Sequence, residues 1–394
     1  MKVLSVTSCI GLLAATVTVA RADCTELQAI TLPLDGDTTV TLSSDAICAN
    51  VDGLPQEFVI DGGALTLTGP DTIKFINLKF NVTTGSSLIF DFDGTQFGPN
   101  VDFETFDSYG ISYMLNVMEG AYAEFSGEMN ATEVQNYRSV FYNGGTMEFK
   151  TDAHFFDCGT NVFRDNAGKL RFRGDAKFER NRYLGINNVD GGTVRIAGDS
   201  LFDTVGTQFE GADGAAFANE EDCIAIFDGT SVFQNIRSGE DGGAVYNEGK
   251  MKFYSKARFY ENRAGENGGA VYNSGDLRFF GAVQMIGNEA FETGGGLAVG
   301  GGGSVRFSGW ASIEDNSAFE TGGAISILDD DDGVGSSVEF GKPTKVRIDG
   351  NVKTTVSCYA PKLGSWPELL MSCVWSCTCL PSCLKYLPGS RVEW

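Results

Sequence analysis

Between Ala123 and Asn351 one spacing of apolar positions recurs nine times. Met251, Phe253, Ala257, Phe259 and Asn262 set the template, at offsets 0, 2, 6, 8 and 11. The first column reads Ala123, Met147, Leu170, Val194, Ile224, Met251, Leu277, Val305 and Val338, apolar every time. The second reads Phe125, Phe149, Phe172, Ile196, Ile226, Phe253, Phe279, Phe307 and Phe340. Small residues then fill offset 6 (Ala153, Ala176, Ser200, Ala257, Ala311) and large ones offset 8 (Phe155, Phe178, Phe202, Phe259, Ile313). Asn closes six copies, at Asn181, Asn235, Asn262, Asn288, Asn316 and Asn351. The ninth copy, from Val338, is stretched by two residues around Lys342-Pro343. Recurrence at a fixed period marks a stacked-repeat architecture.

Side chains two apart on a strand share a face, so offsets 0 and 2, then 6 and 8, predict two short strands joined by a turn. A third strand follows each Asn, as in Ser139–Asn143, Asn161–Asn166, and the Gly-Gly-Ala-Val-Tyr-Asn runs ending at Asn247 and Asn273. Helical spacing fits nowhere, and 51 glycines would penalise helices. The expected fold is all-β: a single-stranded right-handed parallel β-helix, three short strands per coil, with coils about 4.8 Å apart. The second-column Phe are expected to stack inside a dry core, with the small residues at offset 6 leaving them room. Asn suits a sharp bend, because it tolerates the left-handed region and bonds its own backbone or a stacked neighbour. The Gly-Gly pairs at 191, 242, 268, 294 and 322 suit another bend needing positive φ or close approach.

These residues carry a resemblance. Gly-Gly-Ala-Val at 242–245 and 268–271, Gly-Gly-Ala-Ile at 322–325, and Phe-x-x-Asn at 163–166, 178–181 and 259–262 resemble the repeats of polymorphic outer-membrane proteins. The likeness covers about residues 140–330 and implies a secreted or surface-displayed β-helix of the pectin-lyase-like type, with a role in adhesion. Such passengers end in a membrane barrel of alternating strands. Nothing after Val356 has that pattern, so the likeness implies the repeat module and not autotransport.

Lys2, the apolar Val3–Val19 stretch and Ala20-Arg-Ala22 have the grammar of an export signal spanning residues 1–22. Residues 23–120 follow as a cap with irregular early coils, in which Leu65, Leu67, Ile73, Leu88 and Phe90 keep the strand grammar; Asp61-Gly-Gly and Gly94-Thr-Gln-Phe suit turns. The repeat β-helix then runs over 121–356, and a Cys-rich tail over 357–394. Loss of Lys2 and Arg21 takes the formal charge from −23 to −25, which argues against nucleic acid and for a soluble extracellular chain. An exported chain permits a Cys24–Cys48 disulfide at the capping end. Cys158 and Cys223 suit buried or edge thiols. In the tail, Cys373, Cys377, Cys379 and Cys383 lack the separated pairs of structural zinc sites, and Leu369–Leu384 is too short to span a membrane. Asn81 and Asn130 head Asn-x-Thr glycosylation sequons for a eukaryotic source.

Catalytic grammar is sparse. His154 is the single His, at an outward offset with no acidic partner evident, and Asp329–Asp332 reads as a solvated acidic loop before a calcium site. No cofactor or metal is expected. One outward feature stands apart: Arg171, Arg195, Lys252, Arg278 and Arg306 share offset 1, interrupted by Ala225, with Lys150 and Arg173 on the same face. Like charges opposite one another repel, so this row either leans on carboxylates or meets an anionic glycan. The expected function is that of a non-catalytic structural or adhesive protein on a wall, matrix or other cell surface. Its partner would be an extracellular polysaccharide or surface protein. The alternative is a carbohydrate-active protein, binding, lyase or epimerase, on anionic polysaccharide.

Overall fold

The computed structural model describes residues 37–42, 47–49, 56–69, 72–76, 78–97, 113–134, 139–206, 214–328, 335–341, 345–353 and 369–372. Every regular element among them is a β-strand, and the paired strands run parallel. The chain divides into two compact units. One runs through Arg182 and takes in Gly192–Gly198; the other holds Tyr183–Gly191 and everything from Asp199.

In the first unit the chain visits three sheets in turn and returns to the first one coil later. The first face stacks Ala64–Thr68, Ser87–Asp91, Tyr122–Phe125, Thr146–Phe149, Lys169–Phe172 and Thr193–Ile196. The second stacks Thr72–Ile76, Gly94–Phe97, Glu128–Thr132, Ala153–Phe156 and Ala176–Glu179. Gln56–Ile60, Leu78–Val82, Tyr113–Val117, Ser139–Asn143 and Asn161–Asn166 make the third. Leu65, Leu67, Ile73, Leu88 and Phe90 are all buried, so the early coils follow the same rule as the repeats. Asp61-Gly-Gly is a turn, with Gly62 and Gly63 at φ 78° and 84°. Gly94–Phe97, expected as a turn, is instead a strand that buries Thr95 and Phe97.

The second unit repeats the construction. Its first face stacks Ile224–Phe227, Lys250–Phe253, Asp276–Phe279, Ser304–Phe307 and Ser337–Phe340. Its second runs from Ser200–Asp203 through Ala257–Tyr260 to Val346–Asp349, with Leu369–Ser372 added beyond. Ile186–Asn188 to Ile325–Ile327 form the third. A fourth sheet of two-residue strands (Arg263–Ala264, Glu289–Ala290, Ser317–Ala318, Val352–Lys353) follows the Asn bend. Each unit is thus a parallel β-solenoid with three main strands per coil.

Inside both units like stacks on like. Phe90, Phe125, Phe149 and Phe172 lie parallel within 4°, with centroids 4.7–4.8 Å apart. Phe227, Phe253, Phe279, Phe307 and Phe340 repeat this at 4.6–5.1 Å. Ring planes touch at about 3.5–4 Å, so rings this far apart are slipped sideways, the favoured parallel geometry. Edges of rings from the second face meet their flanks, as Phe155 meets Phe149 at 86°.

The strands place the columns as expected except in one coil. Ala225, not Ile224, pairs with Met251, and Phe227, not Ile226, pairs with Phe253. The run Cys223–Phe227 is apolar at both parities, so alternation alone leaves its register open. Stacking Phe227 on Phe253 decides it. The shift moves Asn235 off the Asn column and puts Ile236 there.

The Asn column itself does not take the left-handed turn. The column before it does: Glu133, Asp157 and Arg180 in one unit, and Thr204, Asn235, Glu261, Gly287, Asp315 and Gly350 in the other, have φ between 51° and 69°, so the displaced Asn235 alone of the six Asn turns left-handed. Asn262, Asn288, Asn316 and Asn351 instead form a buried ladder, each Nδ2 donating to the next Oδ1 at 2.8–2.9 Å. The same oxygens accept the main-chain N–H of the preceding rung at 2.9–3.0 Å. Asn188, Asn219, Asn247 and Asn273 build a second ladder at 2.6–2.8 Å, and Asn143 with Asn166 a matching rung in the first unit. The Gly-Gly bend is as expected. Gly268 has φ 68°, and a Cβ on Gly269 would stand 2.2 Å from the Gly295 oxygen.

Two outcomes follow. Phe253→Ala leaves a cavity between two rings and is expected to cost about 3–5 kcal/mol, measured by denaturant unfolding; an unchanged midpoint would show the column is not core. Asn288→Ala orphans the Asn262 N–H and the Phe259 carbonyl. At roughly 1–3 kcal/mol per unsatisfied group, the expected loss is about 2–6 kcal/mol, against almost none for the exposed Glu289→Ala.

Candidate functional site

Since the columns are consumed by the core and bends, chemistry must lie on the outward positions between them. The offset-1 row falls into two parts, one per unit. In the first unit Arg171 pairs directly with Arg195, and the same column continues the other way as Glu148 and Glu124. In the second unit Lys252, Arg278 and Arg306 are successive partners, ending at Glu339. The register shift places Ile226, not Ala225, beside Lys252.

Neighbouring carboxylates neutralise part of the row. Arg278 Nε and Nη2 grip Asp276 at 3.0 and 2.9 Å, a fork that raises the guanidinium pKa, while Arg306 lies 3.6 Å from Glu339. Arg171 and Lys252 have no ion-pair partner among the described residues. Lys150 and Arg173, expected on the same face, are taken by Glu148. Lys150 Nζ lies 2.9 Å from its Oε2, and Arg173 Nε 2.6 Å from its Oε1. Glu148 is only 5% exposed. Burial pushes its carboxyl up, but the Lys150 and Arg173 hydrogen bonds outweigh that and hold it below the ordinary carboxylate range. Tyr122 donates to Glu124 and, at 3.2 Å, to Glu148; burial first, then these two carboxylates, push its phenol well above the ordinary range.

Elsewhere the structure corrects one expectation. His154 does have an acidic neighbour: its Nε2 lies 2.7 Å from Glu179 Oε2, one coil on, an ion pair when the imidazole is protonated. Cys158 and Cys223 are buried, and burial pushes the Cys158 thiol up to about 12, so it is unreactive at neutral pH. Asn81 and Asn130 sit half-exposed on strands. Asn81 Oδ1 accepts from Asn116, and Asn130 Nδ2 donates to Glu128. Cys24, the 1–22 segment and Asp329–Asp332 lie outside the described residues, while Cys48 falls on the strand Ile47–Ala49. No described helix is long and apolar enough to cross a membrane.

Two features went unread in the sequence. A cleft of about 660 Å³ in the first unit is lined by Asp91, Asp93, Glu128 and Asp152 with Thr68, Ser126 and Thr151. Asp152 there serves the scaffold, accepting the Asp175 N–H at 2.8 Å. The second unit carries two exposed, stacked aromatic pairs: Tyr254 with Phe280, and Phe291 with Phe319. Spacing could have shown both, since each pair recurs one coil apart.

Glu148 sets a pH dependence. Its folded pKa lies below the unfolded value of about 4.3, so its contribution is complete above that pH and is lost as pH falls through the lower, folded value. Glu148→Gln is expected to cost about 1–2 kcal/mol at pH 7, discounted for its exposed partners. The gap between variant and wild type in urea unfolding should narrow progressively as pH falls below the unfolded carboxylate range; a constant gap would show that charge is irrelevant there.

Residues 257–274 match the Chlamydia polymorphic membrane protein repeat. The matched segment covers the strand Ala257–Tyr260, the Asn262 rung, the Gly268-Gly269 bend and the strand Val271–Asn273. No curated protein and no solved structure matches the chain. Within the second unit, then, one FxxN–GGAV segment is similar to a polymorphic membrane protein repeat, folded as the second and third strands of one coil of a parallel β-solenoid.

Proposed function

We propose that this chain is a surface-exposed, non-catalytic β-solenoid that serves a structural or adhesive role, contacting a cell wall, matrix or another cell outside the cell that makes it. The observation that carries this reading is the division of labour along each coil. Phe, Asn and Gly recur because core, ladders and bends require them, and the outward columns are left to surface contact. A solenoid of that kind presents an extended, rigid surface for contact. The likeness of residues 257–274 to a membrane-protein repeat supports surface placement, and the export-signal grammar of residues 1–22 supports secretion.

The test has two parts. An epitope fused after Trp394 should be recovered from the medium or stained on unpermeabilised cells. Beads coated with the purified chain should retain intact cells or isolated matrix above beads coated with an unrelated acidic protein. Equal retention would overturn the adhesive role. A carbohydrate-active role gains support from the basic outward face, and release of ultraviolet-absorbing products from a uronate polymer would replace the first reading with it.

A further inference from the structure

On the first face of the second unit, the column beside Lys252 and Arg278 carries Tyr254 and Phe280, between Asp228 and Ser308. Tyr254 and Phe280 are 46% and 42% exposed, their rings parallel within 7° and 4.8 Å apart. Neither ring hangs on a loose loop. The Tyr254 and Phe280 N–H groups donate at 2.8 Å to Phe227 and Phe253, extending the sheet ladder into the positions that carry them. The main chain under the platform is therefore preorganised, and stacking ring on ring reduces the freedom that a ligand must take from the side chains.

Its electrostatic setting is equally local. Lys250, Lys252, Arg278 and Arg306 surround it, and Asp276 and Glu339 pair with the two arginines. Neither Lys250 nor Lys252 has a partner among the described residues. In a chain of net charge −23 this is a positive island, facing a field that repels anions elsewhere.

Resting on the surface-contact reading above, we propose that Lys250, Lys252, Tyr254, Arg278 and Phe280 form a binding subsite for an acidic polysaccharide. Sugar rings lie with their C–H faces on Tyr254 and Phe280, and carboxylate or sulfate groups meet Lys252 and Lys250. Arg278, oriented by its fork with Asp276, supports the rim. The chemistry selects among polyanions. Nucleic acid also stacks on aromatic side chains, but duplex DNA carries a charge about every 1.7 Å and meets the acidic remainder of this chain at full cost. An acidic glycan carries its charges singly, ring by ring, and exposes apolar faces between them. The Tyr254 hydroxyl adds a hydrogen-bonding group beside the stacked sugar.

The structure supplies its own control. Phe291 and Phe319 form an equally exposed pair, 57% and 59%, parallel within 5° and 5.6 Å apart. Glu292 and Glu320 follow them in the chain, and in the column alongside, Glu289 and Ser317 succeed Arg263, whose guanidinium lies 3.7 Å from the Glu289 carboxylate. This pair should not bind an acidic glycan.

Affinity electrophoresis of the purified chain through gels containing polygalacturonate, a sulfated galactan or neutral dextran tests the proposal. Wild type should be retarded by at least one acidic gel, less so as salt rises, and not by dextran. The Tyr254→Ala/Phe280→Ala double variant and Lys252→Glu should each weaken retardation about tenfold or more, with unchanged melting temperatures because all three side chains reach solvent. Phe291→Ala/Phe319→Ala should leave it intact. Three results would overturn the subsite: no retardation of wild type at low salt, equal weakening by the control pair, or equally tight binding of poly(dT). The bead assay separates the two proposals. Beads that adhere without glycan retardation sink only the subsite; retardation without adhesion sinks only the adhesive role.

Discussion

Pairing of like with like between successive coils is the constraint on which everything else rests, kept even where a one-residue bulge at Arg164 precedes the Asn143–Asn166 rung. When Phe253 pairs with Phe279 and Phe279 with Phe307, each inward residue meets its own kind above and below. Rings then stack in parallel, Asn amides join into a line, and small residues leave the gap the next coil needs. A slip of one residue would turn every core Phe outward. Because stacking, ladder hydrogen bonds and close Gly contacts all favour the same register, each reinforces the others, as a minimally frustrated sequence requires.

This explains how much was legible beforehand. Columns of a single residue type, such as Phe125, Phe149 and Phe172 or Asn288 and Asn316, betray their roles because only one chemistry fills the space. The coil at Cys223–Phe227 was misplaced by one residue, since both of its faces are apolar and the deciding fact, ring on ring, is tertiary. The left-handed column was invisible for the opposite reason. Glu133, Arg180, Thr204 and Asp315 share a backbone angle and no side-chain property. His154 and Glu179 meet only because one coil separates them, a distance that pairwise reading along the chain does not measure.

The outward surface obeys different rules. Parallel sheets in most folds are covered on both sides, whereas here only the inner face is packed and the outer one is left to water and partners. Its residues are under no obligation to repeat. Where they do repeat, as the row through Lys252 and Arg278 and the rings of Tyr254 and Phe280, the architecture lines them up at the spacing of the coils. The candidate site was half legible: its basic residues stood out by charge, while the aromatic pair beside them was masked among so many buried Phe.

The stretched ninth coil shows what such a scaffold tolerates. Its sequence carries two extra residues around Lys342-Pro343, yet Phe340 still stacks on Phe307 and Asn351 still receives the Asn316 amide. Length is thus absorbed at the corners and never transmitted to the next rung. The span from Met251 to Asp276 begins and ends at equivalent points of the coil, so its removal or duplication would leave matching surfaces at the junction. A coil is in that sense an interchangeable cassette, and a gene encoding such a chain can lengthen or shorten by whole turns without rewriting its interior.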